Sequence, residues 1–326
     1  MKAIIHRKYG SPDVLEMVEL EKPAPKDDEV LVKIHAASVN ALDWHLLTAD
    51  IFLVRLMGQG LIKPKDTSVG ADIAGQVEAI GPNVKQFKVG DEVYGDIAGS
   101  GQSGFAEYCC VREKKLALKP ANISFELAAA VPVAGITALQ GLRDKGQIKP
   151  GQKVLIQGAA GGVGTFAVQI AKYYGAEVTA VTSAGNMDQA RTMGADHVID
   201  YTKEDFTRNG KQYDLILAAN GHHPLSAYKR ALTPKGIYVM AGGPPGQIFQ
   251  AMLLGSFYSE KEGRQLGGVS AHQSQEDLVF LNGLLESGKV VPAIDRRFPL
   301  EEAAEAVRYL GTGHAKAKII VTVKHD

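Results

Sequence analysis

Cysteine is almost absent from this chain. Only Cys109 and Cys110 occur in 326 residues, and they are adjacent. Neighbouring thiols cannot staple distant segments, so a disulfide-built framework is excluded and a reducing, cytoplasmic setting is expected. Charge of one sign is lacking too: 36 Lys and Arg balance 36 Asp and Glu. Without a long charge run, a nucleic-acid or anionic-membrane surface has no electrostatic support. No apolar run approaches the length of a membrane span, so no integral membrane segment is expected. The opening Met1-Lys2-Ala3-Ile4-Ile5-His6 passes straight into strand-like residues, without the long apolar stretch of a signal peptide. Repeats and low-complexity tracts are missing as well. What is present is 45% apolar residues, enough for substantial cores, in a length that usually forms two domains.

The most informative stretch runs from Lys153 to Tyr174. Lys153-Val154-Leu155-Ile156-Gln157 reads as a buried strand and Gly158-Ala159-Ala160-Gly161-Gly162-Val163-Gly164 as a glycine-rich turn. A helix follows, with Val163, Phe166, Ala167, Ile170, Ala171 and Tyr174 along one face. A glycine turn at a helix N-terminus lets the backbone approach a pyrophosphate, and the helix dipole favours the anion. The spacing Ala159-x-Gly161-x-x-Gly164 has alanine where the usual fingerprint has its first glycine. A turn that only permits tight packing is the alternative. The second strand, Glu177 to Thr182, ends in Thr182, Ser183, Ala184, Gly185 and Asn186, with no carboxylate before Asp188. NAD-selective sites place Asp or Glu there for the ribose 2′-OH. Small hydroxyl and amide groups leave room for a 2′-phosphate, and Arg191 and Lys203 stand near in sequence, so NADPH is favoured, with NADH possible.

Three regions follow along the chain. Residues 1–122 carry short strands punctuated by glycine and proline, such as Val30 to Ile34, Gly75 to Ile80 and Val93-Tyr94 after the turn Gly90-Asp91-Glu92, and read as a β-rich, barrel-like domain. Residues 123–288 alternate strands and helices, with strands near 153–157, 177–182, 197–199, 214–218, 236–241 and 265–270, the six of a doubly wound parallel sheet. Residues 289–326 bring an extended Val290 to Phe298, a helix from Leu300 to about Leu310 and a last strand Lys318 to Val323. The fold class is α/β.

Three groups of residues carry a family resemblance: Ala37-Ser38-Val39-Asn40-Ala41-Leu42-Asp43; the run Gly70-Ala71-Asp72-Ile73-Ala74-Gly75-Gln76-Val77 with Val89-Gly90-Asp91-Glu92-Val93-Tyr94-Gly95; and the Ala-Ala-Gly-Gly-Val-Gly turn. Together they resemble the medium-chain dehydrogenase/reductase superfamily, and within it the zinc-free, zeta-crystallin-like quinone oxidoreductases. Val198-Ile199-Asp200-Tyr201-Thr202-Lys203-Glu204-Asp205-Phe206 is similar to the branch holding reticulon-interacting mitochondrial proteins and chloroplast-envelope quinone oxidoreductase homologues. The resemblance implies a GroES-like catalytic domain, a Rossmann six-stranded cofactor domain at 123–288, and a return segment from 289 that completes the first domain. A homodimer is expected.

Zinc-dependent members use a Cys, a Gly-His-Glu segment and a further Cys or Asp. Here Gly70-Ala71-Asp72 stands for Gly-His-Glu, and the first cysteine falls near Asn40. Asp43, His45 and Asp72 are the residues left that could gather round a metal; zinc needs about three protein ligands, and no metal is expected. Hydride transfer then suits an acceptor that stabilises charge by conjugation, a quinone or an α,β-unsaturated carbonyl. The family's catalytic positions map onto Asn40 and Asp43 and onto Thr137 at the start of a cofactor-domain helix. Asn40 would donate its amide to the substrate carbonyl or the nicotinamide ribose, and Asp43 would orient it; a turn residue and a helix cap are the plainer alternatives. His45 as a proton relay stands against a packed or surface histidine.

For the cofactor, the resemblance implies Gly161, Gly162 and Val163 at the pyrophosphate. It places Thr182, Ser183, Asn186 and Tyr201 round the adenosine ribose, with the tyrosine near adenine. Asn220, Gly242, Val269 and Ser270 would line the ribose and nicotinamide. Lys318 stands in the terminal Gly-Lys position, although residue 317 is Ala. Gly185 replaces an Arg common in relatives. Residues 46–68 are expected to form a flexible wall over a hydrophobic substrate, a membrane-touching segment or ordinary core. The leading function is an NADPH-dependent quinone or enone reductase; an NADPH-binding sensor with little turnover and an alcohol dehydrogenase are the alternatives.

Overall fold

The computed structural model describes residues 1–50, 60–101, 103–244, 246–247, 250 and 263–325. They form two compact units, one of 1–133, 273–288 and 292–326, the other of 134–272 and 289–291. Among the described residues no helix is long and apolar enough to cross a membrane.

The first unit is built around one long strand. With strands numbered along the chain, β1 (Lys2–His6) pairs antiparallel with β2 (Leu15–Glu19). The eleven-residue β3 (Glu29–Val39) lies along β4 (Asp72–Ile80) on one edge. Its other edge is shared: the early half pairs with β6 (Tyr108–Arg112) and the late half with β15 (Lys318–Thr322). β5 (Glu92–Asp96), β7 (Leu116–Leu118) and β14 (Ile294–Pro299) extend the same sheet. Two-sided burial of β3 follows from this wrapping, and Val30, Val32, Ile34, Ala37 and Val39 join Ile73, Val93, Phe105, Val111, Leu116, Ile319 and Val321 in one core. Helix Ala303–Gly311 covers that core with Ala303, Ala306 and Val307.

The second unit is a parallel sheet of β8 (Lys153–Gln157), β9 (Glu177–Thr182), β10 (His197–Asp200), β11 (Tyr213–Ala218), β12 (Leu232–Met240) and β13 (Gln265–Gly268). The order is β10-β9-β8-β11-β12-β13. Strand order therefore reverses between β8 and β11, and ligands of such sheets bind outside the strand C-termini at that point.

The units do not divide where the sequence reading divides them, at 122 and 288. Helix Gln275–Glu286 belongs to the first unit. Tyr94 Oη donates to Asn282 Oδ1 (2.7 Å), Gln275 Nε2 donates to the Leu116 carbonyl (2.6 Å), and Asn122 Nδ2 donates to the Leu285 carbonyl (3.3 Å). These bonds join segments about 160 or more residues apart, which local pattern does not reveal. Conversely, Val291 joins the second unit, where its backbone N–H and carbonyl both bond the Gln169 amide. The extended segment expected at 290–298 is thus strand only over Ile294–Pro299, and the helix expected from Leu300 opens as a 3-10 turn, Leu300–Glu302. Residues 51–59 of the expected apolar wall lie outside the described residues. Of the rest, Leu47 is core, whereas Leu61 and Ile62 are exposed, so the described part is not one continuous apolar surface.

Candidate active site

Three strand ends of the first unit converge on a buried polar cluster. β3 stops at Val39, Asn40 caps helix Ala41–Thr48, Asp72 opens β4 opposite Ser38, and Lys318 opens β15 beside Val39. Asp72 Oδ2 accepts from Ser38 Oγ (2.7 Å), Asn40 Nδ2 (2.9 Å) and Lys318 Nζ (3.3 Å), and its Oδ1 accepts from the Val133 N–H (2.9 Å). Lys318 Nζ also donates to the Val39 carbonyl (3.3 Å) and to Asn40 Oδ1. Its three donors are thereby used. The Lys318 side chain is 3% exposed and that of Asp72 0%.

Asp43 sits beside this cluster, on the first turn of the helix. Its Oδ2 accepts from the Asn40 N–H (2.7 Å) and its Oδ1 from the Gly70 N–H (3.1 Å). Gly70 has φ +91°, and a Cβ there would lie 2.7 Å from the Phe105 ring, so glycine is required for this approach. Burial pushes the Asp43 carboxyl up to about 7; the Asp72 charge adds to the rise, while the two N–H bonds and Lys318 oppose it. Asp43 lines a small solvent-open cleft with His6, Leu46, Asp66, Ser68 and Val69. Burial also holds the His6 imidazole below its usual range, against the Lys8 carbonyl and Asp66.

Asn40, Asp43 and Lys318 are thus brought together, with corrections. Asn40 is not a free donor: Nδ2 is directed at Asp72 and at the Ser38 carbonyl (3.4 Å), because burial demands partners inside the protein. It positions the cluster. Lys318, assigned to the cofactor by resemblance, has its amine in the same cluster. Thr137 is buried in the second unit and lies past the middle of helix Pro132–Gln140, since Pro132 starts that helix. His45 Nδ1 lies 2.8 Å from Asp50 Oδ1.

Zinc does not fit these residues. The positions of the zinc-using cysteine and histidine hold Asn40 and Ala71, and both Asp72 oxygens accept hydrogen bonds from protein donors, the Lys318 ammonium among them. No group of three or more His, Cys, Asp or Glu suited to a metal occurs among the described residues.

In the second unit the glycine turn has the features a pyrophosphate requires. Gly161 caps helix Gly162–Tyr173 without a capping side chain. A Cβ on Gly164 would lie 2.1 Å from the Gly158 carbonyl oxygen, so that glycine serves packing; one on Gly161 would meet only that oxygen, at 3.5 Å. The bare face of Gly161 therefore leaves space for a ligand, and the first helical N–H groups, at Gly162 and Val163, have no intrahelical acceptor. Asn220 abuts Gly158, and Gly242 follows β12 against the Ala219 carbonyl. The Val269 N–H donates to the Met240 carbonyl (2.9 Å), and Ser270 is exposed. At the adenosine end, Thr182 is buried at the close of β9, and Asn186 Nδ2 donates to Ser183 Oγ (3.1 Å). Asn186 Oδ1 is buried without a partner, an orphan that a ribose hydroxyl would satisfy. Tyr201 is exposed after β10. Arg191 is tied to Asp188 (2.7 Å), and the Lys203 side chain projects into solvent, so neither is prepositioned for a phosphate.

Residues 26–121 match the model of the alcohol dehydrogenase GroES-like domain, and residues 193–321 that of the zinc-binding dehydrogenase family. The chain is 37% identical to 2-methylene-furan-3-one reductase of Solanum lycopersicum, over 98% of this chain and 79% of that protein. It is 35% identical to the chloroplastic NADPH-dependent alkenal/one oxidoreductase of Arabidopsis thaliana, over 98% and 79%. The quinone oxidoreductase structure from Coxiella burnetii superposes with a TM-score of 0.86 at 30% identity, covering 99% of each chain. The chain belongs to the medium-chain dehydrogenase/reductase superfamily, in its quinone oxidoreductase-like branch. This superfamily member is an oxidoreductase with a GroES-like unit and a Rossmann unit that binds NAD(P)H.

Sequence reasoning missed Ser38, the Gly70 and Val133 N–H groups and His6. Asp72 was noticed only as a metal candidate; a carboxylate inside the apolar run Ala71-Asp72-Ile73-Ala74 signals a buried, partnered charge.

Proposed function

We propose that this protein catalyses zinc-independent, NADPH-dependent reduction of a quinone or an α,β-unsaturated carbonyl. The observation that carries the reading is the Asp72–Asn40–Lys318 cluster: the cysteine and histidine positions of the zinc-using pattern fall at Asn40 and Ala71, and the Asp72 carboxylate beside them is saturated by Ser38, Asn40, the Val133 N–H and the Lys318 ammonium. An acceptor must then spread the incoming negative charge through its own conjugation. The names of the tomato and Arabidopsis relatives support this acceptor class.

When bound, the reduced nicotinamide dinucleotide supplies the hydride. Gly162 and Val163 would hold its pyrophosphate through backbone N–H groups, while the Gly161 N–H is spent on the Gly158 carbonyl (3.1 Å) and its bare face leaves the room; Thr182, Ser183 and Asn186 would border the adenosine ribose without a carboxylate to repel a 2′-phosphate. Asn40 and Lys318 fix the helix start that carries Asp43, and Asp43 can hold a proton at its carboxyl near neutral pH. A cytoplasmic homodimer is part of the same reading, supported by the buried thiols of Cys109 and Cys110 and by the position of β13 at the sheet edge.

NADPH oxidation followed by absorbance across a panel of quinones, enones and simple alcohol–ketone pairs, with and without chelator, tests the proposal. Turnover of conjugated acceptors that survives chelation is expected. Stoichiometric zinc whose removal abolishes turnover would overturn the mechanism; tight NADPH binding without turnover of any acceptor would overturn the enzymatic reading.

A further inference from the structure

His222 follows β11 and Tyr201 follows β10, strands separated in the sheet by β9 and β8. Three inter-strand steps of about 4.8 Å place the two strands roughly 14 Å apart. Their rings nevertheless meet edge to face, with centroids 6.4 Å apart at 68°. The two loops therefore lean together over the C-terminal ends of β9 and β8, beside the glycine turn and Ser183. Both side chains are exposed, an open aromatic corner at the point of strand reversal.

The His222 ring is held by a buried chain of hydrogen bonds. The backbone N–H groups of His222 and His223 donate to Tyr228 Oη (3.2 and 3.4 Å), and Tyr228 Oη donates to Gln157 Oε1 (2.6 Å). With its oxygen thus engaged, Gln157 presents Nε2 to His222 Nδ1 at 3.0 Å. Gln157 is 1% exposed and Tyr228 0%, which fixes this direction. Nδ1 is then an acceptor, and the longer approach to the Asn220 carbonyl (3.3 Å) is not a bond. The imidazole proton resides on Nε2, which has no partner among the described residues and is free to donate outward.

We propose that His222 is a cofactor-binding residue: with Tyr201 it forms the wall against which the adenine of the dinucleotide rests, its Nε2–H donating to that base. The proposal rests on the nucleotide-binding reading of the second unit but not on the choice of NADPH over NADH. Adenine is common to both cofactors and to 5′-AMP, so all three meet the same wall.

Calorimetric titration of NADPH, NADH and 5′-AMP into wild type, His222→Ala and His222→Phe tests this without turnover. Base–aromatic stacking is worth about 1–3 kcal/mol per base, so His222→Ala should weaken all three ligands by a common factor of about fivefold or more. His222→Phe should recover part of the loss, since it restores the ring but not the donor. Both variants leave the buried Gln157 Nε2 without its acceptor, so the ligand-free thermal midpoint should fall by a few degrees in each, and the titrations are run well below it. Unchanged affinities in His222→Ala would overturn the proposal, as would a loss confined to NADPH, which would place His222 at the 2′-phosphate. If wild type itself binds NADH more tightly, the NADPH reading fails while the common factor in His222→Ala still stands.

Discussion

Lys318→Met is the perturbation that most directly probes the polar cluster. It removes the ammonium while keeping much of the side-chain volume. Asp72 is then left with three neutral donors, Ser38, Asn40 and the Val133 N–H, and Asn40 Oδ1 and the Val39 carbonyl each lose one. Removing one partner of a buried ion pair costs about 3–5 kcal/mol. The donors retained by Asp72 favour the lower end, about 3 kcal/mol. Trp44 is the chain's only tryptophan, and it packs against the core of the first unit, so its fluorescence reports that unit. With a urea slope of about 1–3 kcal/mol/M, the midpoint should fall by about 1–3 M. Asp72→Asn combined with Lys318→Met should recover at least half of the loss, because no uncompensated charge remains buried. The activity profile should move too: Lys318 holds the Asp43 carboxyl down, so its loss shifts the inflection of Asp43 to higher pH. A midpoint shift worth less than about 1 kcal/mol, or a double variant no more stable than the single, would refute this account of the cluster.

Asp43 binds a proton up to about pH 7 in the folded chain, against 3.8 ordinarily. The native state therefore holds the extra proton between those values, and its stabilising effect is complete below about pH 4 and lost as pH rises toward 7. Asp43→Asn should flatten stability against pH across that window in urea titrations, and should remove an inflection near 7 from kcat/KM profiles. Ala317 has φ +96°, a region costly for a residue with a Cβ; Ala317→Gly should raise the first unit's stability by about 1 kcal/mol, net of the greater freedom of glycine when unfolded. Ser183→Asp should weaken NADPH on the order of tenfold or more while sparing NADH, since like charges about 4 Å apart repel by about 4 kcal/mol at an effective dielectric of 20, before salt screening. Paired binding titrations check it, and equal losses for both cofactors would count against NADPH selectivity.

The sequence by itself determined the cofactor unit. Lys153–Gln157, the glycine turn and the strand starts at 177, 197 and 265 coincide with the observed elements, because a parallel sheet encodes each βα unit in a contiguous apolar run followed by a turn. Motif position singled out Asn40, Asp43 and Lys318, and the structure brings the three together. Motif position did not show their roles. Only the tertiary structure decided that Lys318, 246 residues from Asp72, neutralises it, that Asn40 faces inward, and that helix Gln275–Glu286 completes the first unit. Hydrogen bonds and ion pairs between distant segments leave no periodic trace in the chain. They arise when strand register sets Ser38 against Asp72 and Val39 against Ile319, and burial then compels each polar group to find its partner there.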